Sequence, residues 1–212
     1  MSSTSGSDAP RLGPNAVLQT LGATRRRHGP GAASGLLEQA GLQDPDQWAP
    51  GLIPEAWFLA VLDAVRSRFP PEEAEQILAE AGRATAAYVT ENRLPRIFRG
   101  LLRILPARLA LPLLLTAFAR HAWTFAGAGR FSTEGAYPGF IVLENAPTCR
   151  AADPTGPRRG SFYAAAFEGL LDAAAPGIRV REVECTAQGA PACRFRLAVE
   201  PLAPPRSGSQ AW

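Results

Sequence analysis

The chain has 212 residues, 46% hydrophobic and 19% charged; that size and balance fit one domain or two small ones around a substantial core and exclude a mostly disordered chain. All 22 residues of the Lys+Arg class are arginine, and without lysine the chain has no Walker-type phosphate loop, Schiff base or lysine general base. A net charge of +3 is too small an excess to mark a nucleic-acid-binding protein.

Residues 1–12 and 201–212 have the composition of loose tails. Residues 13–122 read as helical. Pro14 suits a first helical position, with Val17, Leu18 and Leu21 at one-face spacing behind it, and the Arg25-Arg26-Arg27-His28 run before Gly29 reads as a helix C-terminus. A second helix is expected over Ser34–Ala40. A third opens at Pro54 and carries Trp57, Phe58, Val61, Leu62 and Val65. The clearest amphipathic helix spans about Pro71 to Asn92, with acids in its first turns and a stripe of Ile77, Leu78, Ala81, Thr85 and Tyr88. Pro95 and Pro106 start two more. The apolar stretch Leu101–Phe125 has only 11 residues, Leu109–Ala119, free of charge. A membrane span needs about 20, so a buried or partner-facing helix is expected. No secretory leader is recognisable, and the three cysteines cannot all pair, so a cytoplasmic protein with reduced thiols is expected.

Residues 123–200 change period. Gly139–Asn145 is an apolar strand ending in the turn-former Asn-Ala-Pro, Ser161–Ala174 is helical, and Ile178–Cys185 and Cys193–Glu200 are strands forming a hairpin about Gly189. The pattern implies an α+β fold, N-terminal helices packed with a mainly antiparallel sheet as one compact unit.

The sharpest constellation is Glu182-x2-Cys185-x7-Cys193. Folding the hairpin about Gly189 sets Cys185 opposite Cys193 and Val183 opposite Phe195, and opposed side chains ~5 Å apart at Cβ can share a tetrahedral ion. Glu182 has the inward parity of Ile178 and Val180. Residues three apart on a regular strand face opposite ways, however, so Glu182 and Cys185 share a site only across a bulge. Cys149 could supply a fourth ligand. The same residues also read as small buried thiols beside a rim carboxylate. A second constellation, His121, Trp123 and Phe125, offers an imidazole and aromatic faces to a flat metal-bearing ligand; it also reads as core aromatics beside a helix-end histidine. Gly127-Ala-Gly129 lacks the third glycine of a dinucleotide loop, so no nicotinamide site is expected, and no flavin or iron–sulfur motif is recognisable.

The runs Gly13–Gln19, Leu101–Arg108, Arg120–Phe131 and Glu184–Phe195 resemble the bacteriochlorophyll 4-vinyl reductase family of purple phototrophs, over nearly the whole of Gly13–Leu197. That resemblance implies a C-terminal 4-vinyl reductase domain of trafficking-complex-like fold and action on magnesium tetrapyrrole intermediates. It also implies a zinc site in which Glu182, Cys185 and Cys193 match an E-x2-C-x7-C ending. The family's earlier cysteine falls here on Ser161, leaving Cys149 to replace it. Three roles follow from the resemblance: a pigment-binding carrier that assists ring-vinyl reduction, the reductase itself, or a ligand-sensing domain. Partner enzymes of the same pathway, a homodimer and a location peripheral to the photosynthetic membrane are further expectations.

Overall fold

The computed structural model describes residues 9–150 and 155–199. Among them the fold is α+β as expected, with every strand pair antiparallel. The chain enters through β1 (Arg11–Leu12), which pairs with β2 (Ile53–Pro54). The N-terminal tail expected over residues 1–12 is therefore shorter: Leu12 is 1% exposed, and burying one leucine is worth ~1.5–3 kcal/mol. The C-terminal tail expected at 201–212 lies outside the described residues.

Helix α1 (Asn15–His28) carries its four basic residues in the last turn, as its sequence implies. They clasp a neighbour: Arg27 pairs with Glu80 at 2.7 Å, while His28 lies 3.0 Å from Glu73 and stacks on Phe69. Helix α2 (Pro30–Gln39) starts four residues before the expected Ser34, because Pro30 occupies the first helical position directly after Gly29. Then come α3 (Glu55–Arg68) and α4 (Pro71–Asn92), both at the expected places. The buried face of α4 begins with Ile77, Leu78 and Ala81 and then continues through Gly82 and Ala86 rather than Thr85 and Tyr88. The small residues face the next layer, where another helix comes close.

Helices α5 (Arg96–Ile104), α6 (Ala107–His121) and α7 (Trp123–Ala126) follow. Helix α6 is both things expected of it. It buries Ala110, Leu111, Leu114, Leu115 and Phe118, and leaves Leu109 and Leu113 exposed. No helix among the described residues is long and apolar enough to cross a membrane.

The sheet starts at β3 (Arg130–Glu134), seven residues after the expected change of period at Trp123, because 123–126 is still helical. Its order is β3-β4-β6-β5, with β4 at Phe140–Glu144, β5 at Ile178–Glu184 and β6 at Cys193–Val199. Strand β6 alternates as its sequence predicts: Cys193, Phe195 and Leu197 are buried, and Arg194 packs over Phe140 on the other face. Helix α8 (Ser161–Leu171) lies on the buried face, its Phe167 ring 5.6 Å from that of Phe195. Helix α4 packs on α8, and α1 packs on α4. One apolar core runs through all these layers.

Candidate metal centre

Four of the residues singled out in the sequence meet at one end of the sheet. The ligand atoms of Cys149, Glu182, Cys185 and Cys193 all lie within 4.8 Å of one another. The three cysteines are buried and free of disulfides, and Glu182 is half-buried.

The strand geometry shows how residues three apart come to share a site. From Ile178↔Val199 to Glu182↔Phe195 the β5–β6 register is regular, and it then shifts so that Glu184 faces Arg194. The extra residue is Val183. The expected pairing of Val183 with Phe195 is therefore corrected: Glu182 takes that place, with the inward parity of Ile178 and Val180. The bulge consumes one residue without a partner, which turns Cys185 to the same side as Glu182. Just beyond, a short 3-10 turn (Thr186–Gln188) folds Thr186 back so that its N–H donates to the Cys193 sulfur at 3.4 Å.

Cys149 arrives from another direction. The turn after β4 leads into a 3-10 segment (Pro147–Cys149), and the Cys149 thiol lies 3.6 Å from Glu182 Oε1. The other Glu182 oxygen accepts from the Gly160 N–H at 3.0 Å, next to Ser161. Gly160 has to be glycine: a Cβ there would stand 2.4 Å from Glu182 Oε1.

The donors compete for protons. Burial first, and then the nearby Cys185 sulfur, pushes the Glu182 carboxyl up to about 8. Hydrogen bonds from Cys149 and Cys193 hold the Cys185 thiol far below its ordinary value, and the Cys149 thiol is pushed correspondingly high. Cys193 is drawn down by Cys149, but its contact with Cys185 and its burial raise it to about 11. One thiolate thus shares the protons of two neighbours. A divalent cation relieves this frustration, replacing protons with a charge that all four donors can face. Thiolate sulfurs around zinc at ~2.3 Å sit roughly 3.8 Å apart in a tetrahedron, so the cluster has the size and chemistry of such an ion.

Sequence reading missed the residue that braces the centre. Arg66 on α3 donates to the carbonyls of Thr148 (2.8 Å) and Arg159 (3.2 Å), the residues preceding Cys149 and Gly160, and is itself held by Glu75 at 3.0 Å. Arg150, following Cys149, is clamped by the buried Glu55 through contacts of 2.6 and 2.7 Å. Nothing in the spacing of Arg66 or Glu55 points to the cysteines, since the turns they hold lie 82 and 95 residues away along the chain. Arg66→Ala is expected to weaken metal binding by roughly 10–100-fold without removing a ligand, as loss of an orienting partner does; competition with a chromophoric chelator measures it.

The second constellation is not gathered in the same way. His121 is exposed at the end of α6, and its carbonyl accepts from the Thr124 hydroxyl at 2.7 Å. Phe125 turns inward, its ring edge-on to Phe131 at 5.8 Å and to Phe167 at 6.1 Å. The Trp123 side chain lies outside the described residues. A groove of about 600 Å³ opens elsewhere, between the start of α4 (Pro71, Glu72, Glu75) and Pro157, Arg158 and Ser161, and none of the three residues lines it.

Comparison with known proteins places this architecture. The domain family named for 4-vinyl reductases matches residues 140–199, the segment holding all four donors. The bacteriochlorophyll synthase 23 kDa chain of Cereibacter sphaeroides is 40% identical over 190 residues, covering 89% of this chain and 91% of that protein. The protein of the same name from Rhodobacter capsulatus is 35% identical over 90% and 88%. Among solved structures, an H-NOX protein from K. algicida superposes with a TM-score of 0.58 at 11% identity, over 90% of this chain and 98% of its own. The H-NOX protein of T. tengcongensis gives 0.51 at 17% identity, over 88% and 97%. The H-NOX likeness is one of fold. The sequence likeness goes further: this chain belongs to the family of the bacteriochlorophyll synthase 23 kDa chains, and its metal-type donor cluster lies in its 4-vinyl reductase domain.

Proposed function

We propose that this protein binds magnesium tetrapyrrole intermediates of bacteriochlorophyll synthesis and presents them for reduction of the ring vinyl group, its 4-vinyl reductase domain braced by a zinc ion. The observation that carries the reading is the four-donor cluster. Three thiols and a carboxyl converging from two strands and a turn form a closed set, the kind that holds structural zinc; catalytic zinc keeps a position for substrate. When bound, the ion supplies a cross-link between the turn at Cys149 and the β5–β6 hairpin. The chain's own residues prepare that link: Gly160 orients the carboxylate, Thr186 orients Cys193, and Arg66 fixes the backbone on either side.

The ligand class is supported by the family, whose named members are bacteriochlorophyll synthase chains along nine tenths of their length. The fold adds to it, since one H-NOX neighbour is described with a protein-distorted haem porphyrin. We assign the exposed His121 imidazole to the pigment's magnesium, with Trp123 and Phe125 supplying the apolar side of the site. Exposure leaves that imidazole accessible to a ligand, and Phe125 ties its short helix to the aromatic core.

Titration of the purified protein with divinyl protochlorophyllide tests this. The expected outcome is a near-stoichiometric absorption shift, an affinity at least about tenfold weaker in His121→Ala, and pigment recovered chemically unchanged. Conversion of divinyl to monovinyl pigment on adding only a nicotinamide donor would overturn the carrier reading and make the chain the reductase. Unchanged affinity in His121→Ala would remove that residue from the site.

A further inference from the structure

The modest net charge of this chain conceals a strong asymmetry. Between Glu91 and Glu134 there are seven arginines and no acidic residue, while the rest of the chain holds the other 15 arginines and all 19 acids. Helices α5 and α6 lie in this segment. Arg93, Arg96, Arg99, Arg103, Arg108 and Arg120 make no ion pair among the described residues.

The same two helices carry most of the large apolar side chains left in solvent. Ile97 is 89% exposed, Ile104 79% and Leu109 57%, with Leu101 and Leu113 beside them. Their placement is ordered. At 3.6 residues per turn, Ile97, Leu101 and Ile104 fall within an arc of roughly 60° on α5. Arg96, Arg99 and Arg103 lie along one side of that arc; on the other, the buried Leu102 and half-buried Phe98 turn toward the protein. Leu109 and Leu113 form a second exposed pair one turn apart on α6.

A single exposed isoleucine needs no explanation, but five large apolar residues on adjacent helices, edged by unpaired arginines, are expensive to leave in water. The charge selects the occupant. A second copy of this chain related by a two-fold axis would set arginine against arginine. An anionic bilayer gives each guanidinium a phosphate, and it takes the apolar residues at the boundary between headgroups and acyl chains. We propose that the α5–α6 face docks this protein on the surface of a membrane rich in anionic lipid, with Ile97, Leu101 and Ile104 as the inserted residues. The proposal rests on neither the metal nor the pigment.

Vesicle flotation of the full-length protein tests it, using phosphatidylcholine alone and phosphatidylcholine with one-third phosphatidylglycerol, at low and high salt. The protein is expected to float with the anionic vesicles at low salt and to bind neutral ones at least about tenfold more weakly. High salt should release most of it. Ile97→Ser with Ile104→Ser should cost about tenfold or more in partitioning, and Arg96→Gln with Arg103→Gln should flatten the salt dependence. All four positions are exposed, so circular dichroism and melting temperature should not change. Two results would overturn the proposal. One is absence of anionic-vesicle binding, or equal binding to neutral vesicles. The other is a wild-type dimer that the isoleucine pair converts to monomer while vesicle binding persists, which would give the face to a second copy.

Discussion

Cys193→Ser is expected to yield protein without bound zinc and with a melting temperature lower by on the order of 10 °C, where the wild type purified without chelator carries one ion per chain. An ion that binds only the folded state stabilises it by about 4 kcal/mol when its free concentration is a thousand times its dissociation constant. In a chain of this size each kcal/mol moves the melting point by ~2–4 °C. Cys193 is fully buried at the start of β6, so the substitution takes away a ligand from a site that water does not easily reach. Elemental analysis and thermal melts of both proteins read the result directly. Absence of zinc from the wild type at near-unit stoichiometry sinks the metal assignment.

The metal-free protein should also respond to pH in a defined direction. Glu182 titrates near 8 when folded, against an ordinary value of 4.5, because burial penalises its charge. A raised value in the folded state means the protonated form is the stabilising one. That contribution is complete below about 4.5 and is lost as pH rises toward 8, so apo protein becomes less stable across this window. Metal reverses the trend, since its ligands must lose protons to bind it, and zinc affinity should climb over the same range with proton release.

The second large effect lies away from the site. Gly82→Ala is expected to destabilise the fold by about 2 kcal/mol or more, although alanine is the better helix former by ~1 kcal/mol. A Cβ on Gly82 would come 2.2 Å from the carbonyl oxygen of Phe162, and backbone on α8 cannot swing aside as a flexible side chain could. The helices must separate, and with them the contact that fastens the N-terminal helices to the sheet. Chemical denaturation measures the loss; a stabilised variant would mean that α4 and α8 pack more loosely than the geometry shows.

Much of this was readable in the sequence. The prolines at 14, 71, 95 and 106 and the alternation of β6 are local signals, and they placed α1, α4, α5, α6 and the hairpin because capping and side-chain period act over a few residues. The spacing of Glu182, Cys185 and Cys193 identified three donors for the same reason, since a hairpin brings its own two strands together. β3 was not legible: it is a short edge strand whose five residues, RFSTE, have little apolar pattern, and its pairing with β4 is what defines it. The shift of the α4 stripe toward Gly82 and Ala86 was hidden too, because a small residue shows its value only when its neighbour is known.

Composition and spacing were therefore enough to exclude lysine chemistry, to expect an α+β fold and to nominate Cys149, Glu182, Cys185 and Cys193. The tertiary structure decided whether those four could meet. It did so through a bulge at Val183, a turn that returns Cys149 from β4, and an arginine on α3 that no local pattern connects to either. It also decided that His121 faces solvent while Phe125 faces the core, and that the arginines of α5 edge an exposed apolar stripe. Local propensities act within a turn or a strand pair. A site assembled from several separate segments is set by packing between layers, and it appears only when the layers are in place.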